Sequence, residues 1–249
     1  MSTESRPESA MHLKNVFDLY EKLKEFNDLE LKYDYSGLKD NFHCYVKEDI
    51  DNVLDRFAEI FSVPADQLES VKEGMRSGII DFMLLPQGEV ASFSTPISSE
   101  ELQSLLFVLS RIFFKSMKKS LNVDNIYWEE GKCPVCNAIP SISMIDEGDK
   151  RKYYCSFCET IGHYKRIGCP SCLSEDPTLV DVMYAENDNN VRIDACNSCK
   201  SYVKTIDRSK AVPKSIEEAD LLSLPLDIVA QNKGYARKSP NVIGMLRIG

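Results

Sequence analysis

The chain has 249 residues and a formal charge of −9, with 28% of its residues charged and 43% hydrophobic. These values describe an ordinary soluble globular protein with room for one large or two modest domains. They count against a general nucleic-acid binder, whose affinity rests on a basic face, and no apolar run approaches membrane-spanning length.

In chain order, residues 8–26 read as an amphipathic helix with Leu13, Val16, Phe17, Tyr20 and Leu23 on one face. The polar, glycine-containing stretch around Tyr33–Lys39 reads as a loop. Cys44 stands alone between Asn41 and Tyr45 and is assigned to packing, the usual role of a lone cysteine. His12 and His43 have no partner at metal-ligand spacing. Ile50, Val53, Leu54, Phe57, Ile60 and Phe61 form a clean helical stripe that Pro64 stops. The next helix carries Leu68, Val71 and Met75 and ends at Gly78. Ile79–Leu85 is a buried apolar segment compatible with helix or strand. Ser98 and Glu101 form a capping-box signature, and Leu102, Leu105, Leu106, Leu109, Ile112 and Phe113 define the core face of the helix that follows. Its basic end, Lys115, Lys118 and Lys119, complements the helix dipole. The first 130 residues are therefore expected to be helical.

Eight of the nine cysteines then fall in four Cys-x-x-Cys pairs: Cys133/Cys136, Cys155/Cys158, Cys169/Cys172 and Cys196/Cys199. Two intervening residues let a tight knuckle aim both sulfurs at one metal ion, and two knuckles complete a closed tetrahedral site. Gaps of 18 and 23 residues separate the first from the second pair and the third from the fourth, and either gap fits one β-hairpin. Only 10 residues separate Cys158 from Cys169, which suits a connection between modules. Two sites are thus predicted: Cys133, Cys136, Cys155 and Cys158; and Cys169, Cys172, Cys196 and Cys199. The segments CPVCNAIPSISMIDEGDKRKYYCSFC and CPSCLSEDPTLVDVMYAENDNNVRIDACNSC read as copies of one pattern, each with two strands around a polar turn (EGDK or NDNN). Ser141-Ile142-Ser143 alternate, and Val180, Val182 and Tyr184 share a face, the period of half-buried strands. Asn137, just after the first knuckle, tolerates the positive φ that turns backbone N–H groups toward sulfur.

Disulfides are the competing reading and need an oxidising compartment. The N-terminal MSTESRPESAMHLKN has no apolar signal region, so export is not indicated and a cytoplasmic location is expected. An all-sulfur tetrahedral site accepts either zinc or iron. Two divalent metals on eight thiolates would bring the formal charge from −9 to about −13. Residues 133–204 hold eight Lys/Arg against ten Asp/Glu, so they hide no basic patch. His163, five residues past Cys158, is unnecessary as a fifth ligand and is assigned to the metal's surroundings or the surface. Lys150-Arg151-Lys152 reads as a charged hairpin tip.

Lys200–Arg208 finishes the second strand pair. Ser215 then caps a last helix through about Asn232, which Pro225 should kink or interrupt. Leu221, Leu222, Leu224, Leu226, Ile228 and Val229 are too many for one narrow face, so this helix is expected to be covered on two sides.

The four Cys pairs, together with Cys-x-x-Cys-Glu-Thr at 155–160, Ser201-Tyr202-Val203-Lys204 and Gly234-Tyr235-x-Arg237, resemble the formate dehydrogenase accessory protein FdhE family. The likeness is close from Cys133 to Asn241 and architectural before that. It departs from the family where Gly162 and Asn137 stand in place of Trp and Gly. The resemblance implies an α+β chain: a helical domain (1–131), two rubredoxin-like, zinc-ribbon-like four-cysteine modules (132–166 and 167–208) and a C-terminal helix and tail (209–249). It further implies two metal ions, Fe or Zn, and a non-enzymatic factor that binds the catalytic subunit of a molybdenum- or tungsten-dependent formate dehydrogenase during assembly. Neither nucleic acid nor membrane insertion is expected. A rubredoxin-like redox protein and a zinc-ribbon nucleic-acid binder are the alternatives, the latter disfavoured by charge. Four protein sulfurs leave no open position for substrate, so catalysis at these sites is not expected. The helix at Leu221–Arg237, with its Gly-Tyr-x-Arg end, is a candidate docking surface.

Overall fold

The computed structural model of the chain describes residues 7–32, 42–90, 92–119, 121, 123–146, 150–185, 188–209 and 215–248. The expected loop at Tyr33–Lys39, three of the four residues of the EGDK turn, Asn187 of the NDNN turn, and the side chains of His12, Leu13, His43 and Cys44 lie outside the described residues, and the remainder of NDNN belongs to a strand. Four helices come first: α1 (Pro7–Asn27), α2 (Phe42–Phe61), α3 (Ala65–Ser77) and α4 (Ser99–Lys118). The second begins earlier than its apolar stripe, because Phe42 and Val46 continue the buried face by two more turns. Gly78 closes α3 in the left-handed conformation at φ 80°, as its residue type allows. Ile79–Leu85 is neither helix nor strand: Ile80 and Phe82 are buried while Ile79 and Leu84 face solvent, and a single 3-10 turn follows at Leu85–Gln87.

The capping box of α4 is formed, with Ser98 and Glu101 each accepting the other's backbone N–H. This helix is the axis of the molecule. Its apolar stripe is joined by Phe107, Val108, Phe114 and Met117 on the remaining faces, all buried. A helix apolar nearly all round must be covered nearly all round. The other helices cover one side, and the first pair of knuckles, with Phe157, covers another. One core cluster therefore runs from Tyr20 through α4 to Cys133, Cys136, Cys155 and Cys158.

The rest of the chain builds a six-stranded sheet from two three-stranded modules. The first contributes β1 (Ile142–Ile145), β2 (Arg151–Tyr154) and β3 (Ile161–His163), the second β4 (Val180–Ala185), β5 (Asp188–Cys196) and β6 (Tyr202–Asp207). The sheet order is β3-β2-β1-β6-β5-β4, antiparallel within each module and parallel where β1 meets β6. The modules are thus joined head to tail. Helices α5 (Ile216–Leu222) and α6 (Leu224–Asn232) pack on β4, β5 and β6. Pro225 breaks what would have been one helix, as expected, with the join at Ser223.

Two expectations about side-chain placement are corrected. Val180, Val182 and Tyr184 do share a face, but Val182 and Tyr184 are exposed and Met183 between them is buried, because α6 packs on the opposite side. The C-terminal helices differ: α5 lies between the two cores, with Leu221 in the helical cluster and Ala219 in the sheet cluster, as expected, whereas α6 is covered on one side only, so that Ile228 and Val229, with Leu222 at the end of α5, remain exposed.

Candidate metal centres

Each Cys-x-x-Cys knuckle repeats one backbone design. The residue after the second cysteine is left-handed at all four places: Asn137 (φ 65°), Glu159 (φ 60°), Leu173 (φ 62°) and Lys200 (φ 56°). That conformation turns its N–H back to the first cysteine's carbonyl, at 2.8 Å for Asn137 and Glu159 and 2.9 Å for Leu173 and Lys200. The first cysteine's N–H in turn donates to the next carbonyl along, that of Ala138, Thr160, Ser174 or Ser201. A non-glycine residue in this region costs about 1–3 kcal/mol. Four such residues persist because every knuckle needs the same turn. Asn137 is legible from its residue type. The other three are legible only from their position after a knuckle.

These turns bring the sulfurs together in two groups of four, first knuckle with second and third with fourth, each group within 4.8 Å. The nearest sulfurs are 3.4 Å apart for Cys133–Cys158 and Cys136–Cys155. They are 3.6 Å apart for Cys169–Cys199 and 3.7 Å for Cys172–Cys196. Such distances are far longer than a disulfide bond of about 2.05 Å. They approach the roughly 3.8 Å edge of a tetrahedron with metal–sulfur bonds of about 2.3 Å. Four thiolates so close repel one another, and a central cation is what lets all of them stay ionised. Burial pushes the Cys136 and Cys155 thiols well up, whereas hydrogen bonds from the other three thiols hold Cys133 well down against its own burial. In the second group burial pushes Cys196 up to about 12. Against the same effect, the Ser201 hydroxyl and N–H and the neighbouring thiols hold Cys199 at about 6. The donor set, soft and all-sulfur, suits zinc or iron.

A hydroxyl stands beside each group at the same place in the repeat. Thr160 Oγ1 lies 3.0 Å from Cys158 Sγ, and Ser201 Oγ lies 3.0 Å from Cys199 Sγ. Sequence reading did not single these out as sulfur partners; the signal was a Ser or Thr two residues past the second knuckle of each module. His163 joins neither group: it sits in β3, where its backbone pairs with Ile126 and Trp128.

The surroundings of the two groups differ. All four sulfur-bearing residues of the first are buried. Phe157, inside its second knuckle, packs edge-on against Phe107 (4.8 Å) and Phe114 (5.8 Å) of α4. Glu159 ties the same knuckle to α4 through buried Arg111 at 2.8 Å and Lys115 at 3.0 Å. Arg111 also meets Glu217 at 2.5 Å, and Glu217 accepts hydrogen bonds from Tyr20 and Tyr154. In the second group Cys172 is exposed and Cys199 half-buried.

Four residues singled out from sequence, Arg151, Arg237, Lys204 and Tyr202, have structural roles. Arg151 is buried rather than at a solvated tip, its guanidinium bonded to Ser143, Thr205 and Asp194. Arg237 is buried too, and so cannot form a docking surface. With Lys204 it neutralises Asp220 and Asp227, four charges without solvent exposure. Tyr202 donates to Asp227 at 2.7 Å. The Ser-Tyr-Val-Lys and Gly-Tyr-x-Arg motifs therefore fasten β6 to α5, α6 and the C-terminal tail. Among the described residues no helix is long and apolar enough to cross a membrane.

Comparison with known proteins follows the same lines. Residues 154–243 match the family model described as FdhE, C-terminal domain. The protein FdhE homolog of Aquifex aeolicus is 29% identical over 155 residues, covering 59% of this chain and 54% of that protein. The homolog of Proteus mirabilis is 34% identical over 113 residues, covering 44% of this chain and 36% of that protein. The chain thus spans about half or less of the length of these relatives. The crystal structure of FdhE from Pseudomonas aeruginosa shares the fold, with a TM-score of 0.62 and 21% identity over 95% of this chain and 90% of that one. Over residues 154–243, which carry the second sulfur group and one knuckle of the first, this chain is similar to the C-terminal domain of the FdhE family.

Proposed function

We propose that this chain is a non-enzymatic accessory factor for a molybdenum- or tungsten-dependent formate dehydrogenase, binding its catalytic subunit during maturation in the cytoplasm. The observation that carries this reading is the pair of closed four-sulfur groups within a chain that matches the FdhE C-terminal domain. Cys133, Cys136, Cys155 and Cys158 would hold one metal ion and Cys169, Cys172, Cys196 and Cys199 the other. Each ion, iron or zinc, would supply the cross-link that fixes its module, since hairpins this short bury too little apolar area alone. The helical segment 1–131 and the C-terminal segment 209–249 brace the metal modules 132–166 and 167–208. Four sulfur ligands leave no place for substrate on either ion, which supports a binding role over a catalytic one. The net charge of −9 supports a protein client over nucleic acid.

Affinity purification of the tagged full chain from anaerobically grown cells, followed by mass spectrometry, is expected to enrich a formate dehydrogenase catalytic subunit. Recovery of no molybdenum or tungsten enzyme would overturn the reading. A second reading, single-electron exchange, is favoured by the exposure of Cys172 at the second group. Iron there would give visible sulfur-to-metal bands on oxidation. Colourless protein with two equivalents of zinc removes this second reading and leaves the first.

A further inference from the structure

The two modules are copies, and the sheet fills the edge of one copy while leaving the other open. Both can be aligned from the residue that precedes the second knuckle. Ile142 pairs with Tyr154 in the first module, and Asp181 pairs with Ala195 in the second. Ser143 of β1 therefore corresponds to Val182 of β4, Ile145 to Tyr184, and Arg151 to Arg192. The outer edge of β1 receives β6 in parallel, in register Ser143 to Thr205 and Ile145 to Asp207. The corresponding edge of β4 is the last in the sheet, with no strand paired to it among the described residues. Burial follows pairing: Ser143 and Ile145 are 0% and 9% exposed, Val182 and Tyr184 47% and 49%.

The opposite end of the sheet is finished differently. There β3 is covered by residues 125–128, which exchange backbone hydrogen bonds with Ile161 and His163 at 2.7–2.8 Å. Proteins commonly blunt a free edge with lysine, proline or a covering loop. Within β4 there is neither lysine nor proline, and its one carboxylate, Asp181, is turned to the helix side and held by Tyr235.

We propose that the β4 edge is a docking site for an extended segment of a partner protein, added in parallel as β6 is added to β1. The filled copy specifies the chemistry of that segment. Arg151 reaches past β1 to a hydroxyl of the received strand, Thr205, and to a carboxylate, Asp194. Arg192 occupies the same place beside β4, next to a groove of about 240 Å³ whose lining includes Arg166, Ile167, Pro177, Val180 and Val182. Asp194, the carboxylate in that lining, is already shared by Arg151, Arg192 and Thr205. The favoured segment carries apolar side chains alternating along one face with a carboxylate or hydroxyl set against Arg192. A second copy of this chain is a poorer occupant. Its β6 is already paired with β1, and two β4 edges related by a two-fold axis meet antiparallel and bring their Arg192 side chains to one continuous face.

The surface deepens the accessory-factor reading by naming where a partner strand binds, yet it can be tested without the client. The probe is a labelled synthetic peptide, Thr-Val-Thr-Glu-Thr-Val-Thr, titrated against the metal-loaded full chain by fluorescence anisotropy beside the same peptide with lysine for glutamate. The glutamate peptide is expected to bind about tenfold more tightly, the scale of one charge-assisted hydrogen bond. Arg192→Ala should abolish that preference, and Val182→Asp should weaken both peptides, with two metal equivalents retained. Equal binding of the two wild-type titrations, no binding at all, or a β4-dependent dimer that excludes the peptide would overturn the proposal. If Val182→Asp still co-purifies with the client, the docking site fails while the accessory role stands.

Discussion

The two sulfur groups share one knuckle design and live in opposite settings. The first is sunk in the helical core, where Phe157 of its second knuckle packs on Phe107 and Phe114 and Glu159 binds Arg111 of α4. The second reaches the surface, with Cys172 exposed, and its module is fastened to α5 and α6 by a separate apolar cluster that includes Ile193, Ala219 and Leu226 and by a buried ion network. The same local fold therefore answers for two different things: global stability in one copy, and an accessible face in the other. A duplicated module can diverge in this way because its knuckles need only the turn, leaving the surroundings free to change.

The strongest test of that contrast is ligand removal. A structural zinc-type site contributes binding free energy of about 10–16 kcal/mol in small domains, as large as the whole stability of a typical domain, about 5–15 kcal/mol. Cys136→Ser is expected to lose one metal equivalent and to lower the melting temperature of the helices with it, measured by circular dichroism and elemental analysis. Cys172→Ser should lose one equivalent while the helical signal melts nearly as in the parent. Equal losses from the two variants would break the comparison. Chelator titration sharpens it, since the exposed group should release its ion in the faster of two phases.

Next in size is Lys204→Met, which leaves Asp220 and Asp227 facing Arg237 alone. Removing one member of a buried charge network costs about 3–5 kcal/mol, read as a shift in the denaturant midpoint. Lys204→Met with Asp227→Leu should recover part of that loss, because the pair is removed together. Gly162→Ala acts on the first module: the new Cβ would lie 1.8 Å from Trp128 Nε1, whose indole fills the space over β3. Overpacking of this kind costs about 1–3 kcal/mol, expected here as a lowered melting temperature without metal loss. The smallest effect, in the stabilising direction, is Leu173→Gly. Relief of its left-handed backbone is worth about 1 kcal/mol, partly offset by the greater freedom of an unfolded glycine.

Sequence alone determined the eight sulfurs, their division into two groups, the helix caps at Ser98 and Gly78 and the break at Pro225. Each is a local matter of spacing or residue type, decided within a few residues of chain. The sequence also showed an apolar stripe at Val180, Val182 and Tyr184 without showing which way it faced, since alternation marks two faces and does not name the buried one. Only the tertiary structure decided that, by placing α6 against the Met183 side. It also decided that Arg151 and Arg237 are interior, because their carboxylate partners come from segments 43 and 17 residues away. The parallel meeting of β1 with β6 belongs to the same class. Pairing between distant strands depends on how whole modules dock, and that docking buries one sulfur group, exposes the other and leaves β4 at the edge.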